Sequence, residues 1–311
     1  MPVPEPARAV VPEGKDAADR GARGRSARAR AFAGRFAGNR PALAGAVVIA
    51  VLVTMALAAP LVTALTGQSP YAFHPEAVDP AMGGLPRGGW GGISAEHPLG
   101  VEPGSGRDVL ARVVWGARVS LLISLLATLL STAIGTVLGL VAGFTGGWTD
   151  MAIGRLMDLL MSFPSLIFMI ALMSVAPDGN RELMLVAVLG LFGWPYVGRI
   201  VRGQAMALAG REFVEAARVL GASRRQILFR EILPNLRAPV MVVATLSIPG
   251  YIATEAGLSF LGVGVRPPTP SWGQMIASAV PWYAADPVYF LVPGLFLLAA
   301  VLAFNLVGDA L

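Results

Sequence analysis

The stretch REFVEAARVLGASRRQILFREILPN, residues 211–235, is polar and rich in arginine, and it lies between two long apolar runs. Phe213, Ala217 and Leu220 recur at spacings of four and three, which places them on one face of a helix. Gly221 follows and supplies the residue type that most readily turns left-handed after a helix ends. The first half of the stretch is therefore predicted to be a helix closed by a glycine turn.

A second short helix is predicted from Arg224 to Leu233. It should end there because Pro234 disfavours a helical conformation in the residue before it. Residues 208–236 are thus predicted to form a helix–turn–helix unit, which we call the basic hairpin. An ordinary amphipathic surface hairpin is the simpler alternative to a hairpin that a partner binds.

Composition places much of this chain in lipid. Of its 311 residues 55% are hydrophobic and 14% are charged, whereas soluble domains carry about 25% charged residues. Cysteine is absent, which excludes disulfides, thiolate metal sites and a cysteine nucleophile. The two histidines, His74 and His97, are too far apart to form a recognisable ligand spacing.

The single lysine, Lys15, argues against ATP hydrolysis by this chain. It is followed by Asp16, whereas a P-loop needs Gly-Lys-Ser/Thr after a strand. We therefore expect no catalytic residues, no metal site and no cofactor in the chain. If ATP drives its activity, separate subunits must bind the ATP and magnesium.

Six apolar runs are each long enough for the roughly 20 residues of a membrane-spanning helix. The predicted fold is an all-α membrane protein with six transmembrane helices, and the runs are 42–65, 119–144, 151–176, 183–208, 238–263 and 288–307. Small residues recur along the second run, which predicts close approach of another helix; they are Ser124, Thr128, Ser131, Gly135 and Gly139.

Residues 1–40 are rich in arginine, alanine, glycine and proline, so they are predicted to be a disordered basic tail. The arginines precede an N-terminal transmembrane helix at 41–66, which favours a cytoplasmic anchor touching anionic lipid over a nucleic-acid site. The small residues at 56–58 resemble a signal-peptide cleavage site, but the apolar run continues past them.

Residues 67–117 are predicted to be an extracytoplasmic loop with one short helix, capped by Asp108. A five-helix core follows at 118–311. Six spans put both termini on the same side, which the basic tail makes the cytoplasmic one, and the basic hairpin then lies there too. Its arginines agree with the excess of positive charge found in cytoplasmic loops.

Polar and ionisable residues inside the apolar runs are candidates for a pathway or for the bundle interior. Arg155 and Asp158 are three residues apart, so we expect them to pair with each other. They either fix the depth of the helix or lie at the mouth of a pathway. For Glu255, a structural hydrogen bond is a simpler explanation than contact with a substrate. The candidates are Asp158, Ser162, Glu255 and Ser259.

The basic hairpin resembles the EAA loop of ABC importer permeases. Glu215-Ala216-Ala217 is followed by Gly221 and then by Ile232-Leu233-Pro234-Asn235. The stretches GRDVL at 106–110, EAGLSFLG at 255–262, PPTPSWG at 267–273 and NLVGD at 305–309 are similar to the second permease subunit of dipeptide, oligopeptide and nickel importers. Glu231 departs from the family, which usually has histidine there.

The resemblance implies a type I permease core with an extra N-terminal helix, placed in the cytoplasmic membrane. It implies a heterodimer with a paralogous permease, two cytosolic ATPase subunits and an extracytoplasmic solute-binding protein, with no nucleic acid. The basic hairpin then acts as the coupling element. The residues implied to couple to the ATPases are Phe213, Glu215, Ala216, Ala217, Leu220, Gly221 and Pro234.

Three alternatives are weighed against a peptide importer. The same machinery could carry nickel or another small solute. A secondary transporter would want a membrane-buried carboxylate relay, for which only Asp158 and Glu255 are candidates. A membrane-embedded enzyme would need an acid–base couple or a nucleophile, and the apolar runs offer no clear one.

Overall fold

The computed structural model of the chain describes residues 38–177 and 179–310, so most of the predicted basic tail, residues 1–40, lies outside the described residues. The described helices are α1 (Arg40–Leu57), α2 (Ala59–Thr66), α3 (Val109–Thr145), α4 (Gly147–Ser162), α5 (Ser165–Ser174), α6 (Arg181–Ala209), α7 (Glu212–Val219), α8 (Arg224–Phe260), α9 (Trp272–Ala279) and α10 (Pro287–Gly308).

Five of these helices, α1, α3, α6, α8 and α10, are long and apolar enough to cross a membrane. The consecutive helices α4 and α5 together meet the same test but are bent by 81° at their junction. With the bent pair counted as one span, the described residues hold six spans. The prediction of an all-α membrane protein with six transmembrane helices is confirmed.

The junction between α4 and α5 lies at Phe163 and Pro164, inside the run predicted as one span. Phe163 has an extended backbone, with φ −86° and ψ 142°. A residue before proline is pushed out of the α region by the proline ring. The span is therefore broken into two helices at this point rather than merely bent.

Helix α3 corrects a predicted boundary. The short helix expected to begin after Asp108 is the first part of a continuous 37-residue helix, so residue 117 is not the end of the loop. Asp108 does cap it, because its Oδ1 accepts from the Ala111 amide across 2.6 Å. Gly116 does not break the helix, and a Cβ added there would lie 3.4 Å from Ser271 and Trp272.

Helices α3 and α6 form the most extensive helix contact of the described residues. The stripe of small residues predicted on α3 is the face that α6 packs against. A Cβ added to Gly135 would lie 2.8 Å from the Trp194 carbonyl oxygen, and Gly139 and Gly143 meet the α6 backbone in the same way. Glycine is therefore required for this closeness of approach.

The loop between α2 and α3 is short of regular structure. It contains two 3₁₀ turns, Pro75–Ala77 and Pro80–Met82, and a small antiparallel sheet of β1 (Val78–Asp79) and β2 (Leu85–Pro86). A third 3₁₀ turn, Val280–Trp282, joins α9 to α10. We call the end of the bundle that carries these segments the loop end, and the opposite end the hairpin end.

A buried polar network fixes the loop end. Glu102 accepts from Arg107 Nε and from the Tyr289 hydroxyl, each across 2.5 Å, and Arg112 Nε lies 3.5 Å from the same carboxylate. Arg112 also donates to Gln274 Oε1 across 2.9 Å. The loop is thereby tied to α3, α9 and α10, so the loop end is held as one unit.

Candidate functional site

The first helix of the basic hairpin, α7, ends in the predicted glycine turn. Gly221 has φ +82°, and its amide donates to the Arg218 carbonyl across 3.0 Å. The Ala222 amide reaches back to the Ala217 carbonyl, also across 3.0 Å. These bonds satisfy carbonyls that the helix end leaves free, and the left-handed backbone is why glycine suits this position.

Helix α8 begins with a complete capping box. The Ser223 hydroxyl accepts from the Gln226 amide across 3.3 Å, and Gln226 Oε1 accepts from the Ser223 amide across 2.8 Å. One residue, Ala222, separates Gly221 from this cap. The turn is therefore short and hydrogen-bonded on both sides, which makes it rigid. We call it the Gly221 elbow.

The predicted end of the second helix at Leu233 is wrong, because α8 continues through Pro234 to Phe260. The segment Ile227–Ile232 is π-helical, and the Leu233 amide donates to the Leu228 carbonyl five residues back. A wider turn relieves the clash between a proline ring and the preceding turn. The basic hairpin is thus continuous with a membrane-spanning helix.

The buried face of α7 differs from the predicted one. Val214 is fully buried, and it packs with Ile227, Ile232 and Leu236 of α8 and with Val201 of α6. Of the predicted stripe, only Ala217 packs against this cluster. Phe213 and Leu220 are exposed instead. The cluster packs the hairpin against the bundle and leaves Phe213 and Leu220 of the predicted stripe exposed to solvent.

The exposed side of the basic hairpin carries large apolar side chains. Val219 and Leu220 are 87% and 86% exposed, and Phe213 and Phe229 are also exposed. The same hairpin carries five exposed arginines, namely Arg211, Arg218, Arg224, Arg225 and Arg230. Large apolar side chains exposed on a segment that is otherwise charged are typical of a protein-interaction site. We call the four apolar residues the hairpin tip.

The remaining predicted coupling residues fall on both sides of the hairpin. Glu215 and Ala216 are exposed, and Pro234 is half-buried in α8. Sequence reasoning missed Val214, Val219 and Phe229. Periodicity could not separate them, because Phe213 with Leu220 and Val214 with Ala217 are both spacings that define a helix face.

Two interior candidates, Glu255 and Ser259, lie together on α8 and are buried. The Ser259 hydroxyl donates to Glu255 Oε1 across 2.7 Å and accepts from the Val265 amide across 3.0 Å. The Ser120 and Ser271 hydroxyls also lie near the Glu255 carboxylate. This arrangement ties α8 to the segment after it, which is the structural role weighed for Glu255.

The other two interior candidates, Asp158 and Ser162, are exposed on α4. Ser162 donates to the Asp158 carbonyl oxygen across 2.6 Å. The predicted pairing of Asp158 with Arg155 is wrong, because Asp158 Oδ1 accepts from Arg199 of α6 across 2.6 Å. Tertiary packing of α6 on α4 brings a better-placed cation than the neighbour on the same helix.

Residues 38–177 and 179–310 contain no group of three or more histidine, cysteine, aspartate or glutamate side chains able to hold a metal ion. Lys15 and its surroundings lie outside the described residues. Among the described residues, the candidate functional features are the hairpin tip and the charged and polar groups of α4, α6 and α8.

Comparison with known proteins identifies the family. Residues 135–311 match the model described as "binding-protein-dependent transport system inner membrane component". Residues 28–81 match the "N-terminal TM domain of oligopeptide transport permease C". The first of these models spans the basic hairpin and all of the spans from α4 onward.

Curated relatives match along most of the chain. A dipeptide transport system permease protein from Alkalihalophilus pseudofirmus is 36% identical over 88% of this chain and 84% of its own length. An oligopeptide transport system permease protein from Salmonella typhimurium is 38% identical over 89% of this chain and 87% of its own length. The chain belongs to the family of inner-membrane permease components of binding-protein-dependent transport systems.

Proposed function

We propose that the chain is the transmembrane permease subunit of an ATP-driven ABC importer that moves dipeptides or oligopeptides across the cytoplasmic membrane by alternating access. The ATP and magnesium are bound by two partner ATPase subunits. A paralogous permease completes the membrane channel, and an extracytoplasmic binding protein delivers the solute.

The observation that carries the proposal is the construction of the basic hairpin. Its tip is apolar and exposed, while Val214 anchors α7 in a buried cluster shared with α6 and α8. A force applied at the tip thus acts on a packed unit rather than on a loose loop. Because α8 runs unbroken to Phe260, a shift of the tip also moves a membrane-spanning helix.

Orientation follows from charge. The arginines of the basic hairpin favour a cytoplasmic position, and the number of spans then places both termini on that side. The loop end, held by the Glu102 network, faces outward and is the surface on which the binding protein docks. A hairpin in the cytosol is within reach of ATPase subunits.

The mechanism uses rigid-body motion of packed helices. ATP binding closes the ATPase pair, and the hairpin tips of the two permeases follow it. The Gly221 elbow keeps α7 and α8 at a fixed angle, so the motion passes into α8 and into α6, which packs on the hairpin through Val201. The pathway then opens to the docked binding protein, and hydrolysis resets it.

Peptides are the proposed solute because the curated relatives above are named for dipeptides and oligopeptides. Nickel, the other solute considered, is not favoured by those names. The solute pathway is proposed to run along the side of the bundle where Asp158 and Ser162 are exposed, because an ion pair is costly against lipid.

Reconstitution of the complete complex tests the proposal. The vesicles contain this chain, its paralogous permease and the ATPase subunits, and they are supplied with the binding protein. They are expected to take up labelled dipeptide only when ATP is present on the side of the membrane that carries the ATPase subunits. Without the ATPase subunits neither hydrolysis nor uptake should occur. Uptake driven by an ion gradient in the absence of ATP would refute the assignment.

A further inference from the structure

A charged cavity opens on α4 and α6 near the hairpin end, away from the hairpin tip. It has a volume of about 190 Å³, and its lining includes three arginines and two aspartates: Asp150, Arg155, Asp158, Arg199 and Arg202. Met151, Gly154 and Met157 complete its wall. We call it the Arg155 cavity.

Both carboxylates of the cavity are already paired. Asp158 accepts from Arg199, and Asp150 is held in a two-pronged pair by Nε and Nη2 of Arg202, with Nη2 to Oδ2 at 2.7 Å. Arg155 has no ion-pair or hydrogen-bond partner among the described residues. The cavity thus carries one uncompensated positive charge.

The position of Arg155 makes this charge significant. It is exposed on α4, one half of the bent third span. A guanidinium on the surface of a membrane-spanning segment is costly unless it is solvated or paired. Lipid tails offer no partner, so an anion from outside the chain fits the site.

We propose that the Arg155 cavity is an oxyanion-binding site that takes one carboxylate or one phosphate. Arginine presents a planar fork of donors that matches either anion through two parallel hydrogen bonds. The volume suits a single such group. Resting on the proposed function, the anion is the terminal carboxylate of a departing peptide or the phosphate of an inner-leaflet lipid.

The first test uses the complete reconstituted complex and a pair of peptides, one with a free carboxyl terminus and one with a terminal amide. Arg155→Gln removes the charge without leaving a buried partner. For a carboxylate site, it lowers uptake of the free-acid peptide about tenfold and leaves the amide unchanged. Arg237→Gln, the same change at an exposed arginine outside the cavity, should affect neither.

The second test does not depend on transport. Native mass spectrometry of the purified complex, prepared with added phosphatidylglycerol, counts the anionic lipids retained. For a phosphate site, Arg155→Gln retains one fewer than the wild-type protein, whereas Arg237→Gln retains the same number. If the wild-type complex takes up no peptide, the proposed function fails, and this count still tests the cavity.

Two results overturn the proposal. One is an Arg155→Gln complex that matches the wild type in both the peptide selectivity and the lipid count. The other is an Arg155→Gln preparation that has lost the paralogous permease, because Arg155 would then pair with a protein carboxylate across the subunit interface.

Discussion

Arg199 of α6 donates from Nη2 to Oδ1 of Asp158 of α4 across 2.6 Å. Both side chains are about half exposed, at 51% and 56%. Arg155, three residues before Asp158 on its own helix, remains outside the pair. The ion pair thus joins the bent third span to the fourth. It replaces the pairing of Asp158 with Arg155 that the sequence predicts within α4.

A double-mutant cycle measures this pair. Asp158→Ala and Arg199→Ala should each lower the thermal stability of the complex, and the combined variant should lose less than the sum. The coupling is expected to be about 0.5–1 kcal/mol, since the pair is half exposed. The corresponding cycle of Asp158→Ala with Arg155→Ala should show little coupling. A larger coupling in the second cycle would restore the local pairing.

The Gly221 elbow is predicted to be essential for coupling. Gly221→Asp should abolish uptake while ATP hydrolysis by the assembled complex continues, because it places a negative charge in the left-handed turn, at φ +82°, next to the exposed Leu220 of the tip. Bulk at Ala217, which packs on the hairpin cluster, should act in the same way. Uptake and hydrolysis are measured on the same vesicles.

Gly221→Asn is the matched control, since asparagine has the shape of aspartate and a similar tolerance of the left-handed region but carries no charge. It should retain most of the uptake. Normal uptake by an assembled Gly221→Asp complex would show that the elbow does not transmit the motion.

Glu255 is predicted to act as a hydrogen-bond acceptor for Ser259. Glu255→Gln should preserve uptake and stability, because an amide oxygen can accept from the same hydroxyl at 2.7 Å. Glu255→Ala leaves a cavity and an unpaired hydroxyl, so it should destabilise the complex by about 2 kcal/mol. A folded Glu255→Gln complex without uptake would instead indicate a role for the charge in the pathway.

Glu102 is predicted to make the loop end sensitive to acid. Burial of its carboxyl alone raises the pKa, but the charges of Arg112 and Arg107 and the Tyr289 hydroxyl outweigh this. The pKa is therefore below its ordinary value. The resulting stabilisation is present above about pH 4.3, the pKa of an unfolded glutamate. It is lost as the pH falls through the lower, folded pKa.

Glu102→Gln should therefore cost about 3 kcal/mol at neutral pH, because it leaves buried arginines without their counter-ion. The difference between the variant and the wild type in free energy of unfolding should become smaller as the pH falls. Unfolding of the purified complex is followed from pH 3 to pH 8. Glu76→Gln, at a side chain that is 72% exposed, should behave like wild type. A cost for Glu102→Gln that does not change with pH would contradict the account.

The sequence predicts the spans of this fold well because each rests on a long apolar run. It does not predict side-chain contacts between residues that are far apart in the chain. The contact of Tyr289 with Glu102 joins residues that no local pattern relates, and so does that of Arg199 with Asp158. Each such partner is supplied by helix packing, which depends on the whole bundle.

The basic hairpin shows the same division. The Gly221 turn was predictable because a left-handed residue after a helix has a strong local signature. The face that α7 buries was not, since Phe213 and Val214 are adjacent and either could start an apolar stripe. The passage of α8 through Pro234 depends on a π-helical segment, for which the sequence has no simple marker.

The position of the hairpin tip tests the central claim most directly. The chain has no cysteine, so Leu220→Cys places a single thiol on the tip, and Trp90→Cys, at a residue that is 81% exposed, places one at the loop end. In intact cells a membrane-impermeant maleimide should label only the Trp90→Cys protein. In the complex a bifunctional reagent should cross-link the Leu220→Cys thiol to an ATPase subunit. Labelling of Leu220→Cys from outside, or its failure to cross-link to any ATPase, would contradict the account.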